Sequence, residues 1–433
     1  MSRFKGSPKA IHAALLALSV FLSGALLLFI EPFDLDRAAG AAGRSAFYKV
    51  AAFAYPGRER PGPVPIEIVQ ADDRLLADEE LAWPMPYGTH AAVIDAISEA
   101  GPRALFVDFL FVDTRPDPDF DELVAAIERA ASRHMVFIAA APEEVLGRPA
   151  RQELVALARR NPRVQLVSVR LGRSIADGRA YPLRPDPDGR VPAAVALCRT
   201  IAGCRVATGE DVDVWWGAQG YKGVEATAPG RALNFVTTAV LGDFTPRPLR
   251  LTDPLPQPFT TLTAARDLLK GDTYDAAIKR LHGAVVLYGG NFAFTGDVAQ
   301  TPVYGLVPGS HVHAMVLDNL ARSALVRIDP PFGLGPKGHQ LLSLALICLV
   351  LGAWRLAWPT RSSAATEGRK LELRFGDMAV LALAALAIAL FEFAVLKVGP
   401  IAWFPVLLAA LGADALVAPL LERILQPKRA AGD

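Results

Sequence analysis

Side chains that could do chemistry collect at the ends of short apolar runs. Ile66–Val69 leads into Ala71, Asp72 and Asp73; Ala104–Val107 leads into Asp108 and then Asp113; Ala284–Tyr288 leads into Gly289, Gly290, Asn291 and then Asp297. Carboxylates accept hydrogen bonds only, so several at one edge could hold a cation, an amine or the hydroxyls of a polyol. They can equally accept backbone N–H bonds and shape turns, and for Asp72 and Asp108 both readings stand. His311 and His313 look like a metal pair, but at the start of a helix a spacing of two points side chains apart. We therefore expect no metal site, and expect His313 to pack or hydrogen-bond. Ser310 lies beside His311 with Asp297 nearby, yet no GxSxG pattern surrounds a serine, and a triad is a matter of geometry. A glycosidase-like carboxylate pair is the one hydrolytic arrangement left open. No catalytic residue, cofactor or enzymatic activity is expected. Thr301-Pro302 reads as a turn.

The elements that must position these residues alternate. Each acid follows a run with the buried, β-rich character of a strand covered on both faces. Met135–Ala140 and Val164–Val169 are further strands. Between them lie helical patterns: one capped by Thr89 with Val93, Ile94 and Ile97 inward; one capped by Asp117 with Pro118 at its first position; and Gln152–Arg160. This predicts an α/β domain with a parallel or mixed sheet covered by helices. The stretch from Leu281 to Leu325 reads as its last strand-loop-helix unit, a long polar loop joining the two elements. Arg37–Tyr55 reads as a helix leaving the membrane. Cys198 and Cys204 flank Gly203, which can break the turn between them, so a disulfide or two buried thiols are the alternatives. Arg179, Arg184 and Arg190 read as a solvated face.

Composition adds the membrane. The chain has 433 residues, 52% of them hydrophobic, and a mean hydropathy of +0.29, too apolar for a purely soluble protein. The formal charge of +1 and the lack of basic stretches interleaved with aromatics argue against nucleic acid as a partner. Residues 11–30 carry no charge over the length of a bilayer core, after Arg3, Lys5 and Lys9. Further spans are expected at 338–357, 378–396 and 401–421. Basic residues cluster at 1–10, in the 358–377 loop and in the 422–433 tail. Only one topology places all of these in the cytoplasm, leaving residues 31–337 outside. Arg355, Glu392 and Asp414 are the polar groups of the spans; Glu392 reads as an interfacial residue and Arg355 as a candidate partner of Asp414, or as a group reaching water.

Six short pieces, in order, carry a family resemblance: the strand ending at Asp72; Trp83-Pro84-Met85-Pro86; Phe106-Val107-Asp108-Phe109-Leu110-Phe111; Asp186-Pro187-Asp188-Gly189-Arg190-Val191; Leu233-Asn234-Phe235; and Asp297, Thr301-Pro302, Pro308-Gly309, His313-Ala314. Together, and with one span before them and three after, they resemble the type-two CHASE domain, a cyclase/histidine-kinase-associated sensory extracellular domain. The resemblance implies sensing of an unknown ligand or envelope component, with Asp72, Asp108, Asp113, Asn291, Asp297, Thr301 and His313 as candidate ligand contacts. Met85 and Tyr87 depart from the family's Trp-Pro-Trp-Pro-Arg. No kinase, cyclase or phosphate-loop signature occurs, so the expected partners are the membrane, a separate output protein such as a kinase or cyclase, and a second copy of the chain as a homodimer. An envelope scaffold that signals nothing is the alternative.

Overall fold

Stiff, β-branched and aromatic runs bounded by Gly, Pro and Asp become strands, and amphipathic runs between them become helices. A computed structural model describes residues 8–30, 47–48, 51–52, 55, 62–112, 117–141, 150–171, 180–206, 211–217, 261–269, 271–293, 295, 297–327, 335–357, 367–399, 406–408 and 410–411. In chain order the elements are α1 (Pro8–Ile30), β1 (Ile66–Asp72), α2 (Asp73–Asp78), α3 (Tyr87–Glu99), β2 (Ala104–Asp108), α4 (Phe120–Arg133), β3 (Met135–Ala140), α5 (Gln152–Arg160) and β4 (Val164–Ser168). There follow β5 (Ala180–Tyr181), α6 (Ala193–Cys198), β6 (Val212–Asp213), β7 (Thr261–Ala264), α7 (Gly271–Leu281), β8 (Val285–Asn291), β9 (Val298–Thr301), β10 (Gly305–Pro308), α8 (Gly309–Ala321), β11 (Val326–Arg327), α9 (Gly335–Ala357) and α10 (Glu367–Phe391). They form two compact units, residues 48–326 and residues 1–47 with 327–433.

The larger unit is built on a six-stranded sheet of order β4-β3-β2-β8-β1-β7, parallel throughout. Because residues in register on neighbouring parallel strands share a face, the sheet sorts its side chains cleanly. Ile68, Leu287, Phe106 and Phe137 point to the face covered by α6 and α8. Val69, Tyr288, Val107 and Ile138 point to the other, where they join Ile94 and Ile97 of α3, Leu123 and Ile127 of α4 and Leu281 of α7 in one buried cluster. Each such side chain contributes about 1.5–3 kcal/mol relative to exposure, so the strand alternation fixes the layers.

Two capping expectations change. The α3 helix starts at Tyr87 rather than after Thr89. Asp117, expected to cap the next helix, instead receives the Tyr87 N–H at 3.0 Å on one carboxylate oxygen and the Asp119 N–H at 3.0 Å on the other. A carboxylate from a distant loop thus satisfies the orphan donor that a local cap would have taken. The polar loop after β8 also contains more order than its composition suggests: β9 and β10 pair antiparallel there as a hairpin. Arg37–Tyr55 lies mostly outside the described residues.

In the second unit, two helical segments among the described residues, Lys337–Ala357 and Met378–Leu396, are long and apolar enough to cross a membrane; a shorter apolar stretch, Ala13–Leu26, lies within α1. Leu16 and Val20 of α1, Leu344, Ile347 and Leu351 of α9, Leu381 and Ala385 of α10, and Val406 and Ala410 form a shared core. The outward faces are apolar too, with Phe29, Leu349 and Leu383 exposed. Helices hydrophobic all round call for a lipid surrounding. The helix of the third expected span begins at Glu367, ahead of Met378; Arg, Lys, Glu and Leu are all good helix formers. The region of the fourth, 401–421, lies largely outside the described residues.

Candidate functional site

Strand order determines where a ligand could enter. The central strand β8 is inserted between β1 and β2, and the chain leaves it differently from its neighbours. After β1 and β2 the chain crosses to α3 and α4, on the Tyr288 face. After β8 it turns through the β9–β10 hairpin to α8, on the opposite face. Connections that leave adjacent strands on opposite sides open a crevice at their carboxyl ends, where ligands settle in open parallel sheets.

At that edge Gln70 of β1, Gly289 of β8 and Asp108 of β2 lie in one registered row, on the α8 face. Gly289 is a necessity of packing. A Cβ there would lie 2.9 Å from Ser310 Cβ and 3.0 Å from its Oγ, with Asp108 Cβ at 3.4 Å. Removing that one carbon lets the first turn of α8 descend onto the sheet. At Gly309 the opposite holds: a Cβ would meet only Asp297 Oδ1 at 3.6 Å and Asp108 Oδ2 at 3.8 Å, both ordinary contacts. A methyl-sized opening therefore faces two carboxyl oxygens.

The hydrogen bonding around this point is incomplete. Ser310 is buried, and its Oγ has no partner. His311 Nε2 lies 3.2 Å from Gln70 Oε1, so that nitrogen donates, while its buried Nδ1 has none. Among the described residues none donates to Asp108 or Asp297. Burial first, and the Asp297 charge second, push the Asp108 carboxyl up to about 8; Asp108 is only partly exposed and Asp297 is exposed. Burial pulls His311 and His313 down to about 4, so both are neutral at physiological pH.

The remaining predicted residues fall elsewhere. Asp72 caps α2, accepting from Leu75 N at 3.0 Å, and Asp73 accepts from Ala293 N at 3.1 Å. Asn291 is in register with Asp72 at the end of β8. Thr301 Oγ1 closes the hairpin, donating to Gly305 O at 2.9 Å and accepting from Tyr304 N at 3.1 Å. His313 points away from His311 and is committed inside: its Nδ1 is hydrogen-bonded with Tyr181 OH at 2.8 Å, that oxygen accepts from Ala194 N at 3.0 Å, and its ring stands edge-on to Phe106. Asp113 and Asp414 lie outside the described residues, as does the Leu233-Asn234-Phe235 piece. Cys198 and Cys204 are joined by a disulfide, with Cα atoms 5.6 Å apart. Arg355 lies in the last turn of α9. Glu392 is buried: Ser343 Oγ donates to it at 3.2 Å, and His339 Nε2 stands 3.0 Å from the same oxygen.

Of the predicted acids, then, the structure brings together Asp108 and Asp297. Gln70, Gly289 and Gly309 were missed as members of the same site. The only sequence signal for the glycines was their place at the end of a buried run and at the head of a helix.

This arrangement, a parallel α/β unit with its crevice at the inserted strand, coincides with a family match over residues 13–353, described as the CHASE2 domain. The chain belongs to the CHASE2 family. The match begins in α1, takes in the whole CHASE2 sheet and ends in α9, so the family's unit includes apolar helices on either side of its sheet domain. CHASE2 domains are extracytoplasmic sensory domains, which gives this chain a sensory role in signalling. No curated protein and no solved structure matches it.

Proposed function

We propose that this CHASE2 protein is a membrane-anchored, multi-pass sensor. Its outer domain binds a ligand at the first turn of α8, without turning it over, and passes the event along that helix to the spans and on to a separate output protein. The observation that carries this reading is that α8 has an unsatisfied polar crevice at one end and a fully satisfied polar network at the other.

At the far end, Asp318 Oδ2 accepts from Tyr55 OH at 2.5 Å and from Arg322 Nε at 2.8 Å. Asn319 Nδ2 donates to Tyr55 OH at 2.9 Å and to Trp215 O at 3.0 Å, while its Oδ1 accepts from Trp215 N at 2.9 Å. Trp215 Nε1 donates to Ala51 O at 3.0 Å, and Tyr48 OH donates to Asp213 Oδ2 at 2.8 Å. The segment from Tyr48 to Tyr55 follows the first apolar helix in the chain, and α8 precedes the second through β11. A ligand that prefers one placement of α8 shifts the population of that placement, and a satisfied buried network transmits it as a unit because breaking any member leaves an orphan.

The test has two parts. Crosslinked pull-down of the full chain from native membranes is expected to recover a kinase, cyclase or regulator; recovery of envelope proteins alone would move the reading to a scaffold. Asn319→Ala is then expected to leave the partner bound while abolishing any change in its activity. Unchanged output in that variant would remove α8 from the relay.

A further inference from the structure

Resting on the membrane anchoring proposed above and not on its ligand site, we infer that the edge at which the strands of the sheet begin docks on anionic lipid headgroups. Four connectors lead into strands at that edge: residues 100–103 before β2, 133–134 before β3, 159–163 before β4 and 279–284 before β8. Apart from two histidines, every ionisable residue in them is Arg or Lys. Backbone hydrogen bonds set the connectors side by side. Val136 N donates to Arg163 O at 2.8 Å, Arg103 N to Ala284 O at 2.8 Å, and Gly283 N to Gly101 O at 3.0 Å. Arg163 Nη1 donates to Ser132 O at 2.7 Å, next to Arg133, and Arg103 Nη1 donates to Thr200 O at 3.1 Å, next to Arg199. A line of exposed cations results: Arg163, Arg133, Arg103 with Arg199, then Lys279 and Arg280.

Helix ends account for only part of this line. A cation in the last turn of a helix complements the macrodipole, which suits Arg133, Lys279 and Arg280. Arg103, Arg163 and Arg199 stand beyond the helices that precede them. Ion pairing divides the domain further. On the helix faces exposed arginines are neutralised: Arg129 meets Asp95 at 2.5 Å and Arg160 meets Glu128 at 2.7 Å. Among the described residues, no carboxylate lies within ion-pair distance of the six cations of the line. Like charges gathered at one edge repel one another and favour an anionic partner. The path of the chain selects that partner. β1 follows the first apolar helix in the chain and α8 precedes the second, and both meet this edge. α8 starts over Gly289 at the far end of β8; its last turns stand beside the residues ahead of β1, where a Cβ at Gly62 would lie 3.4 Å from Asp318 Oδ1. The cations therefore line the edge at which the chain arrives from one apolar helix and departs for the next. A membrane offers lipid phosphates, which guanidinium groups hold through parallel N–H bonds.

The test reads the two edges separately. Ser132, at the basic edge, and Leu110, at the opposite one, are both exposed. Cys198 and Cys204 are bonded to each other and Cys348 is buried, so a fluorophore on Ser132→Cys or Leu110→Cys reports one position. The full chain is placed in nanodiscs with nitroxide-labelled headgroups, made of phosphatidylglycerol or of phosphatidylcholine, and quenching gives the ratio of docked to free domain. We expect the Ser132 label to be quenched in phosphatidylglycerol and released by salt at about 0.5 M, where charges are screened within a few ångströms. The ratio should fall about fivefold for each cation removed, and so on the order of a hundredfold in Arg133→Gln/Lys279→Gln/Arg280→Gln. That variant leaves the carbonyl bonds of Arg103 and Arg163 in place, and an unchanged unfolding temperature confirms its fold. Quenching that is equal in phosphatidylcholine, survives the triple variant, or is as strong at Leu110 overturns the docking edge. Absence of quenching in phosphatidylglycerol overturns it too, and binding of polyphosphate by that undocked chain would reassign the edge to a soluble polyanion. A chain that does not enter nanodiscs at all overturns the membrane anchoring itself, and the docking with it.

Discussion

Two acids with opposite surroundings divide this molecule. Glu392, in the apolar unit, is 4% exposed and engaged: Ser343 donates to it and His339 stands against it. Asp108, at the edge of the outer sheet, is partly exposed and receives nothing from the described residues. In a hydrocarbon surrounding, an unsatisfied polar group has no water to turn to, so an acid there must bring its partners from the protein. At a sheet edge water is close, and an acid can be left waiting. The difference shows how to separate a polar group that holds a structure together from one that is kept ready. The first has a hydrogen bond from a neighbouring helix on one oxygen, with Oε2 left without a partner, whereas the second shows raised proton affinity and idle neighbours.

That contrast can be broken in three ways. Glu392→Ala should have the largest effect, since it strips the buried Ser343 hydroxyl of its acceptor and removes the carboxylate that stands against His339. We expect about 1–3 kcal/mol of destabilisation, read as a lower unfolding temperature in nanodiscs, and an unchanged midpoint would demote the contact to an accident of packing. Asp108→Asn should act through pH instead. A carboxyl whose folded pKa lies above its unfolded value stabilises fully below about 4 and loses that stabilisation as pH rises toward 8. His311 and His313, depressed by burial, have the opposite slope, gaining stability as pH rises between about 4 and 6.5. From pH 6.5 to 8 those histidine contributions are constant, so the wild-type outer domain should lose up to about 1.4 kcal/mol per pH unit there. The Asn variant should be flat. A slope that survives in the variant would assign it to another group. Ser343→Ala should have the smallest effect, about 1 kcal/mol, because it removes one hydrogen bond while the carboxylate still stands against His339; a larger loss would mean that this bond is what makes the buried carboxylate tolerable.

Much of the outer domain was legible before any coordinates. Runs such as Met135–Ala140 and Gln152–Arg160 begin and end where their residue types say, because strand and helix periodicity are local properties. The disulfide alternative was legible from Gly203, and the divergence of His311 and His313 from helix geometry. The caps were less legible: Asp117 serves Tyr87 across a gap of 30 residues, and no local pattern contains that. The contacts of Glu392 were not legible for the same reason, since His339 and Ser343 are on another helix.

What the chain determined by itself is the parallel α/β character, the apolar helices and the list of acids at strand ends, all consequences of patterns a few residues long. What only the tertiary structure decided is which acids meet. Asp72 and Asp108 look alike in sequence, each closing a buried strand, yet Asp72 folds back on its own helix while Asp108 finds Asp297 and Ser310. The cause is the insertion of β8 between β1 and β2, with its return through α8 on the opposite face. That pairing joins residues nearly two hundred positions apart, and it comes from burying one apolar strand among others rather than from any rule those residues obey locally.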